Sequence, residues 1–172
     1  MMDNNKTKKL AIAAMFVAIG VVLGNVIFIP VGVSKCFPIQ HTINVLSATI
    51  LGPFYGVGVA FCISLIRNII GTGSLLAFPG SMIGALLAGL IFRQTKNCYL
   101  TAVGEVFGTG ILGGLLAFPI AKFVMGKDVV ALFFVYPFIL SSIGGSIIAV
   151  ILSKVIEKYG SPQINKEKSN EC

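Results

Sequence analysis

The chain has 172 residues, of which 56% are hydrophobic and 11% charged, and its mean hydropathy is +0.95. Soluble domains carry about a quarter charged residues, so the composition excludes a soluble enzyme, a disordered chain and a disulfide scaffold. It defines an all-α integral membrane protein with no length left for a second domain. The net charge of +7 comes from lysines and arginines at the chain ends and in short connectors, where they act as topology signals and headgroup contacts rather than as a nucleic-acid patch.

The polar segment 1–8 precedes an apolar run over 10–34. That run exceeds the core of a cleavable signal peptide and reads as a retained first span. The next charge-free run, 36–66, is ambiguous. As one helix it would be roughly 46 Å long, against a hydrocarbon core of about 30 Å. Gly52-Pro53 in its middle is a helix stop and restart signal. Loop charge decides for two helices. With six spans and an inner N-terminus, Lys6, Lys8, Lys9, Arg93, Lys96, Lys154, Lys158, Lys166 and Lys168 lie inside, and Lys35, Arg67, Lys122 and Lys127 outside. Five spans split the same charges six inside and seven outside, or seven and six when flipped, so only six spans, at nine against four, satisfy the positive-inside rule. The expected spans are 9–29, 40–52, 54–70, 78–93, 99–118 and 130–156, in one membrane domain. Both termini are then cytoplasmic, and 158–172 forms a second polar tail. The outer connectors 30–39, 71–77 and 119–129 are longer than the inner ones and can build a lid.

Small residues recur at helical spacing: Ala14 and Ala18, Gly20 and Gly24, Gly52 and Gly56, Gly80-Gly84-Ala88, Gly104-Gly108 and Gly110-Gly114. Such spacing lets helix backbones approach closely in lipid. In spans 4 to 6 it reads as packing within the chain. In span 1, Ala11, Ala13, Ala14 and Ala18 leave a smooth strip that a helix of another protein can approach.

Polar groups at membrane depth are functional candidates. Glu105 is the one acid within a span; it can bind a substrate or carry a proton, or it can be held by neighbouring hydroxyls. Arg67-Asn68 end span 3, where Arg67 either snorkels to headgroups or faces an outer cavity. Lys35-Cys36-Phe37-Pro38-Ile39-Gln40-His41 concentrates a cation, an aromatic ring, an amide and an imidazole, and Asn44 follows Gln40 by one turn. Such a cluster suits a small ligand, or is a wet interfacial loop. Tyr136-Pro137 opens span 6 with Ser141-Ser142 deeper; Tyr136 either stacks on a flat ligand or belongs to the interfacial belt.

Cys36, Cys62, Cys98 and Cys172 are far apart in sequence and read as free thiols, and with one histidine no metal site is expected. A Walker A sequence and an acidic cluster for magnesium are both missing. The chain therefore reads as a non-enzyme that hydrolyses no ATP itself and needs no cofactor.

Four runs carry a resemblance to a known family: Val31 to His41 (VGVSKCFPIQH), Ile66 to Gly73 (IRNIIGTG), Leu75 to Gly89 (LLAFPGSMIGALLAG) and Gly104 to Gly110 (GEVFGTG). Together they resemble the substrate-binding S-components of energy-coupling factor (ECF) vitamin transporters, and among these the thiazole-type ThiW group. The resemblance implies a six-helix binding protein in a prokaryotic plasma membrane. It works with a membrane T-component, contacted through Ala14 and Ala18, and with two cytoplasmic ATPases. It implies a substrate in the outer half, held by Lys35, Phe37, Gln40 and His41 from the connector and by Phe78, Phe118, Tyr136 and Ser141 from the helices. Glu105 lies deeper than direct contact requires. The implied ligand is hydroxyethylthiazole, a thiamine precursor, imported by ATP-driven reorientation. An independent proton-coupled carrier using Glu105, or an S-component for thiamine or another vitamin, are the alternatives.

Overall fold

A computed structural model describes residues 4–31, 34–126, 128–130 and 132–159. Lys127, Lys166, Lys168, Cys172 and most of the expected 158–172 tail lie outside the described residues. Helix α1 spans Asn4–Val26 and leads into a short antiparallel hairpin of β1 (Ile29–Val31) and β2 (Ser34–Cys36), in which Ile29 pairs with Cys36 and Pro30 with Lys35. The hairpin occupies part of the expected 30–39 connector and was not foreseen. Its runs are only three residues each, too short for period-two alternation to register.

Helix α2 (Pro38–Leu51) starts with proline in its first turn, where the missing N–H costs nothing. It ends at Gly52, whose φ of 93° is open only to residues without a Cβ penalty. Pro53 then opens α3 (Pro53–Ile69). Helix α4 (Ala77–Thr95) closes on Lys96 in the left-handed region. Helix α5 runs over Cys98–Val124. Asn97 caps its start, accepting from the N–H groups of Tyr99 and Leu100 at 2.8 and 3.3 Å. Helix α6 is Val135–Tyr159. By length and composition α1, α4, α5 and α6 can each cross a membrane, and α3 is a shorter apolar helix.

Three boundaries differ from expectation. Helix α1 already begins at Asn4, inside the segment 1–8 expected as a polar tail, because its Asn, Lys and Thr residues continue the helix as readily as the apolar ones that follow. Helix α5 continues past Phe118 to Val124, and α6 begins at Val135 rather than near 130. Pro119 marked the expected stop, but here it sits inside α5. The helix absorbs it by widening to π geometry over Ile120–Val124, as it also does over Val106–Gly113.

Short connectors make successive helices run in alternate directions. The hairpin therefore shares one end of the bundle with the starts of α2, α4 and α6. Helix α2 packs against α1, α3, α4 and α6 and is the central helix. Twelve of its fourteen residues are buried, among them Gln40, His41, Thr42, Asn44, Ser47 and Thr49. The surface is the reverse: Val22, Ile69, Val103, Phe107, Ile147 and Ile151 are exposed. An apolar outside around a partly polar centre is the arrangement lipid selects, since buried polar groups there must find partners within the protein.

The small residues of α4 and α5 meet face to face. A Cβ at Gly108 would lie 2.8 Å from the Gly84 Cα, and one at Gly113 would collide with the Gly80 Cα. In α1, Ala11, Ala14 and Ala18 face outward, but Ala13 packs into the core beside Phe16. Residues 11, 14 and 18 share one helical stripe and residue 13 does not, so Ala13 leaves the strip expected for a partner.

Candidate substrate-binding site

Two polar clusters are stacked along the bundle axis at the hairpin end. The upper one is built on Arg67 in the last turn of α3, 2% exposed. Its Nη1 donates to Gln40 Oε1 at 2.7 Å, its Nε to Asn25 Oδ1 at 3.2 Å and its Nη2 to the Thr72 carbonyl at 3.4 Å. The guanidinium carbon stands 4.1 Å from the Phe37 ring centroid, a stacking arrangement that a desolvated guanidinium favours. Arg67 thus ties α1, α2, α3 and the α3–α4 loop together. A Cβ on Gly24 would come to 3.5 Å from Nη1, an ordinary contact distance, so the α1 backbone runs close beside the guanidinium.

Gln40 passes the connection inward. Its Nε2 donates to Ser64 Oγ at 3.0 Å, and Ser64 Oγ lies 3.1 Å from Ser81 Oγ. The Ser81 hydroxyl donates to the Ala77 carbonyl at 2.7 Å and so accepts from Ser64. The Ser81 carbonyl in turn accepts from Asn44 Nδ2 at 3.2 Å.

Asn44 belongs to the lower cluster, centred on Glu105, whose side chain is fully buried. One carboxylate oxygen, Oε1, accepts from Asn44 Nδ2 at 3.1 Å and from Thr109 Oγ1 at 2.9 Å, and lies 3.0 Å from His41 Nδ1. A carboxylate here requires His41 to present its Nδ1–H, and a protonated imidazole would neutralise the charge. A Cβ at Gly84 would collide with both Thr109 and this carboxylate. The opposite alternatives left open for Glu105 thereby gain a geometry: the acid is held by neighbouring helices and does not open onto a cavity.

Above the Arg67 cluster lies a cavity of about 720 Å³, within the range of small-ligand sites. Of the residues singled out from the sequence, Lys35, Phe37, Gln40, Arg67 and Asn68 line it together. His41, Asn44 and Glu105 sit beneath its floor. Ser141 lies near its wall, where its Oγ accepts from the Phe37 N–H at 2.8 Å and fixes the junction of hairpin and α2. Cys36 is buried beside it, its Sγ 3.4 Å from the Pro137 carbonyl, and burial pushes the thiol pKa up. Three aromatic residues expected from the helices lie elsewhere. Tyr136 is 65% exposed on the bundle surface. Phe78 packs edge-on against Phe61 at 5.7 Å, and Phe118 is half-buried under Lys122.

The aromatic wall instead comes from Phe133, Phe134 and Phe138. Phe133 and Phe134 meet edge to face at 5.2 Å. Sequence reading missed them because 130–156 looked like one uninterrupted span. The adjacent Phe133-Phe134 pair before Tyr136-Pro137 was the available signal. Ser64, Ser81 and Thr109 were also missed, since single hydroxyls in apolar helices are common and satisfy themselves locally. Among the described residues no cluster of His, Cys, Asp and Glu is arranged to hold a metal ion.

The architecture is similar to that of a solved S-component. It superimposes on the crystal structure at 2.1 Å of the S-component for biotin from an ECF-type ABC transporter with a TM-score of 0.69, covering 95% of this chain and 98% of that one at 19% sequence identity. No curated protein sequence matches the chain. The family model described as "Thiamine-precursor transporter protein (ThiW)" matches residues 10–159. The chain therefore belongs to the ThiW family, a family of membrane transporters rather than of enzymes.

Proposed function

We propose that this protein is the substrate-capturing S-component of an ECF importer in a prokaryotic plasma membrane, and that it takes up a thiazole precursor of thiamine. The hairpin end faces outward, six helices span the bilayer, and both termini are cytoplasmic. The observation that carries the reading is the hairpin-end cavity, lined by Phe37, Phe133, Phe134 and Phe138 together with the polar groups of Gln40 and Asn68, in a chain of the thiamine-precursor family. A thiazole is flat and polarisable, so aromatic faces can stack on it. Its ring nitrogen and hydroxyl can use an amide such as Gln40 or Asn68. Intact thiamine carries a fixed positive charge, which suits an acid or an open aromatic cage. The cavity wall carries cations instead, and Glu105 is sealed below it. That sealing also argues against an independent proton-coupled carrier built on Glu105.

Calorimetric titration of the purified chain in detergent tests this. Hydroxyethylthiazole is expected to bind saturably and thiamine not to compete. Thiamine binding in its place would keep the transporter class and change the substrate, and absence of binding to either by folded protein would remove the thiazole reading.

The outward strip of Ala11, Ala14 and Ala18 on α1 supports docking of a T-component helix there, with two cytoplasmic ATPases completing the assembly. Ala14→Trp is expected to prevent recovery of the four-protein complex while leaving the thiazole titration unchanged. An intact complex with this variant would take the strip out of the interface.

A further inference from the structure

The hairpin-end cavity is electropositive from several independent sources. Arg67 lines it and is 2% exposed, yet its side chain meets only neutral acceptors, on Gln40, Asn25 and Thr72. The buried carboxylate of Glu105 faces His41, and among the described residues no carboxylate is paired with Arg67. A guanidinium has five N–H donors. Three are engaged, which leaves one N–H on each terminal nitrogen. Lys35 lines the same cavity from β2.

The helix directions add to this. Helices α2, α4 and α6 all begin at this end, and Phe37, Ala77 and Phe134, at or next to their first residues, line the cavity. Helix N-termini carry partial positive charge and unpaired N–H groups. Among the described residues no Asp or Glu lines the cavity, and Asp128, next to the lining Val129, is exposed. A desolvated cation without a counter-charge is costly, and a ligand oxyanion would supply that charge through the paired terminal N–H groups.

We infer that this cavity binds its ligand through an anionic oxygen group as well as an aromatic ring, so that within the thiazole class the phosphate monoester is preferred over the free alcohol. This rests on the function proposed above and specifies its substrate further. The phosphate meets Arg67 and Lys35 while the ring lies along Phe37, Phe133 and Phe134.

The test is a parallel calorimetric titration of the full chain with hydroxyethylthiazole, its phosphate monoester and inorganic phosphate. The monoester is expected to bind about tenfold or more tightly than the alcohol, the gain of one charge-assisted contact. Inorganic phosphate is expected to bind far more weakly than the monoester. Lys35→Ala and Arg67→Lys are expected to lose more affinity for the monoester than for the alcohol. Lys35 is exposed, so its variant keeps the test informative where Arg67→Lys does not fold. If the alcohol binds at least as tightly as the monoester, the inference is overturned and the thiazole reading stands. Inorganic phosphate matching the monoester would reduce the site to an adventitious ion only. A monoester preference untouched by Lys35→Ala and by folded Arg67→Lys would overturn the assignment to these cations. Failure of both thiazoles to bind folded protein would bring down the inference together with the reading beneath it.

Discussion

Glu105→Ala is expected to lower the stability of the detergent-solubilised protein by about 3–5 kcal/mol, the scale of leaving several buried hydrogen-bond donors unpaired at about 1–3 kcal/mol each. The substitution takes away the acceptor shared by Asn44 at 3.1 Å and Thr109 at 2.9 Å, and the partner of His41 at 3.0 Å. Those groups stay buried, because α2 is enclosed by α1, α3, α4 and α6, so water cannot replace the carboxylate cheaply. The alanine also leaves a void against Gly84, which already lacks a side chain. Glu105→Gln retains an acceptor oxygen at nearly the same place and is expected to cost about 1–2 kcal/mol, the scale of exchanging a charged for a neutral hydrogen bond. Thermal unfolding of the three proteins side by side measures this. Equal stability of the alanine and glutamine variants would mean that the carboxylate is not the organising acceptor of the lower cluster.

Gly108→Ala is the second large effect. Its new Cβ would meet backbone, with the Gly84 Cα at 2.8 Å, the Gly84 nitrogen at 3.0 Å and the Ile83 carbonyl at 3.1 Å. Backbone cannot rotate aside as a flexible side chain can, so α4 and α5 must separate. The expected cost is about 1–3 kcal/mol, typical of overpacking. Separation also draws Glu105 and Thr109 on α5 away from α4 and α2, so this variant should share part of its loss with Glu105→Ala rather than add to it. Gly58→Ala in α3 is the control, since a Cβ there meets nothing within 4 Å. With no new contact to resist, the better helix propensity of alanine is expected to stabilise by about 0.5–1 kcal/mol. A Gly108→Ala protein as stable as the parent would show that the helix contact is looser than the geometry implies.

Part of this molecule was legible because the responsible physics is local. Hydropathy and sparse charge define a membrane protein whichever residues eventually touch. The break between α2 and α3 follows from Gly52, which adopts a φ of 93°, and from Pro53, which opens a helix more easily than it continues one. The stripe spacing in α4 and α5 foretold close packing because only small residues allow backbones to meet. The density of polar groups from Lys35 to Asn44 also marked the segment that borders the hairpin-end cavity and its buried polar clusters, since such groups are retained in an apolar chain only where something satisfies them.

What the sequence determined by itself, then, was the solvent this chain belongs to, the break between α2 and α3, and which segments carry polar chemistry. The partners of those polar groups were decided by tertiary structure. His41 and Asn44 meet Glu105 across more than sixty positions of chain, and Arg67 reaches back to Asn25, distances at which no periodicity operates. The same holds for the aromatic wall: Phe133, Phe134 and Phe138 face the cavity while Tyr136, between them in sequence, faces out. Facing depends on where α6 begins, and that depends on how far α5 extends past Pro119. Local propensity would stop α5 there, but packing against its neighbours and a shift to π geometry carry it on to Val124, because in lipid a helix keeps its backbone hydrogen bonds by widening rather than by ending.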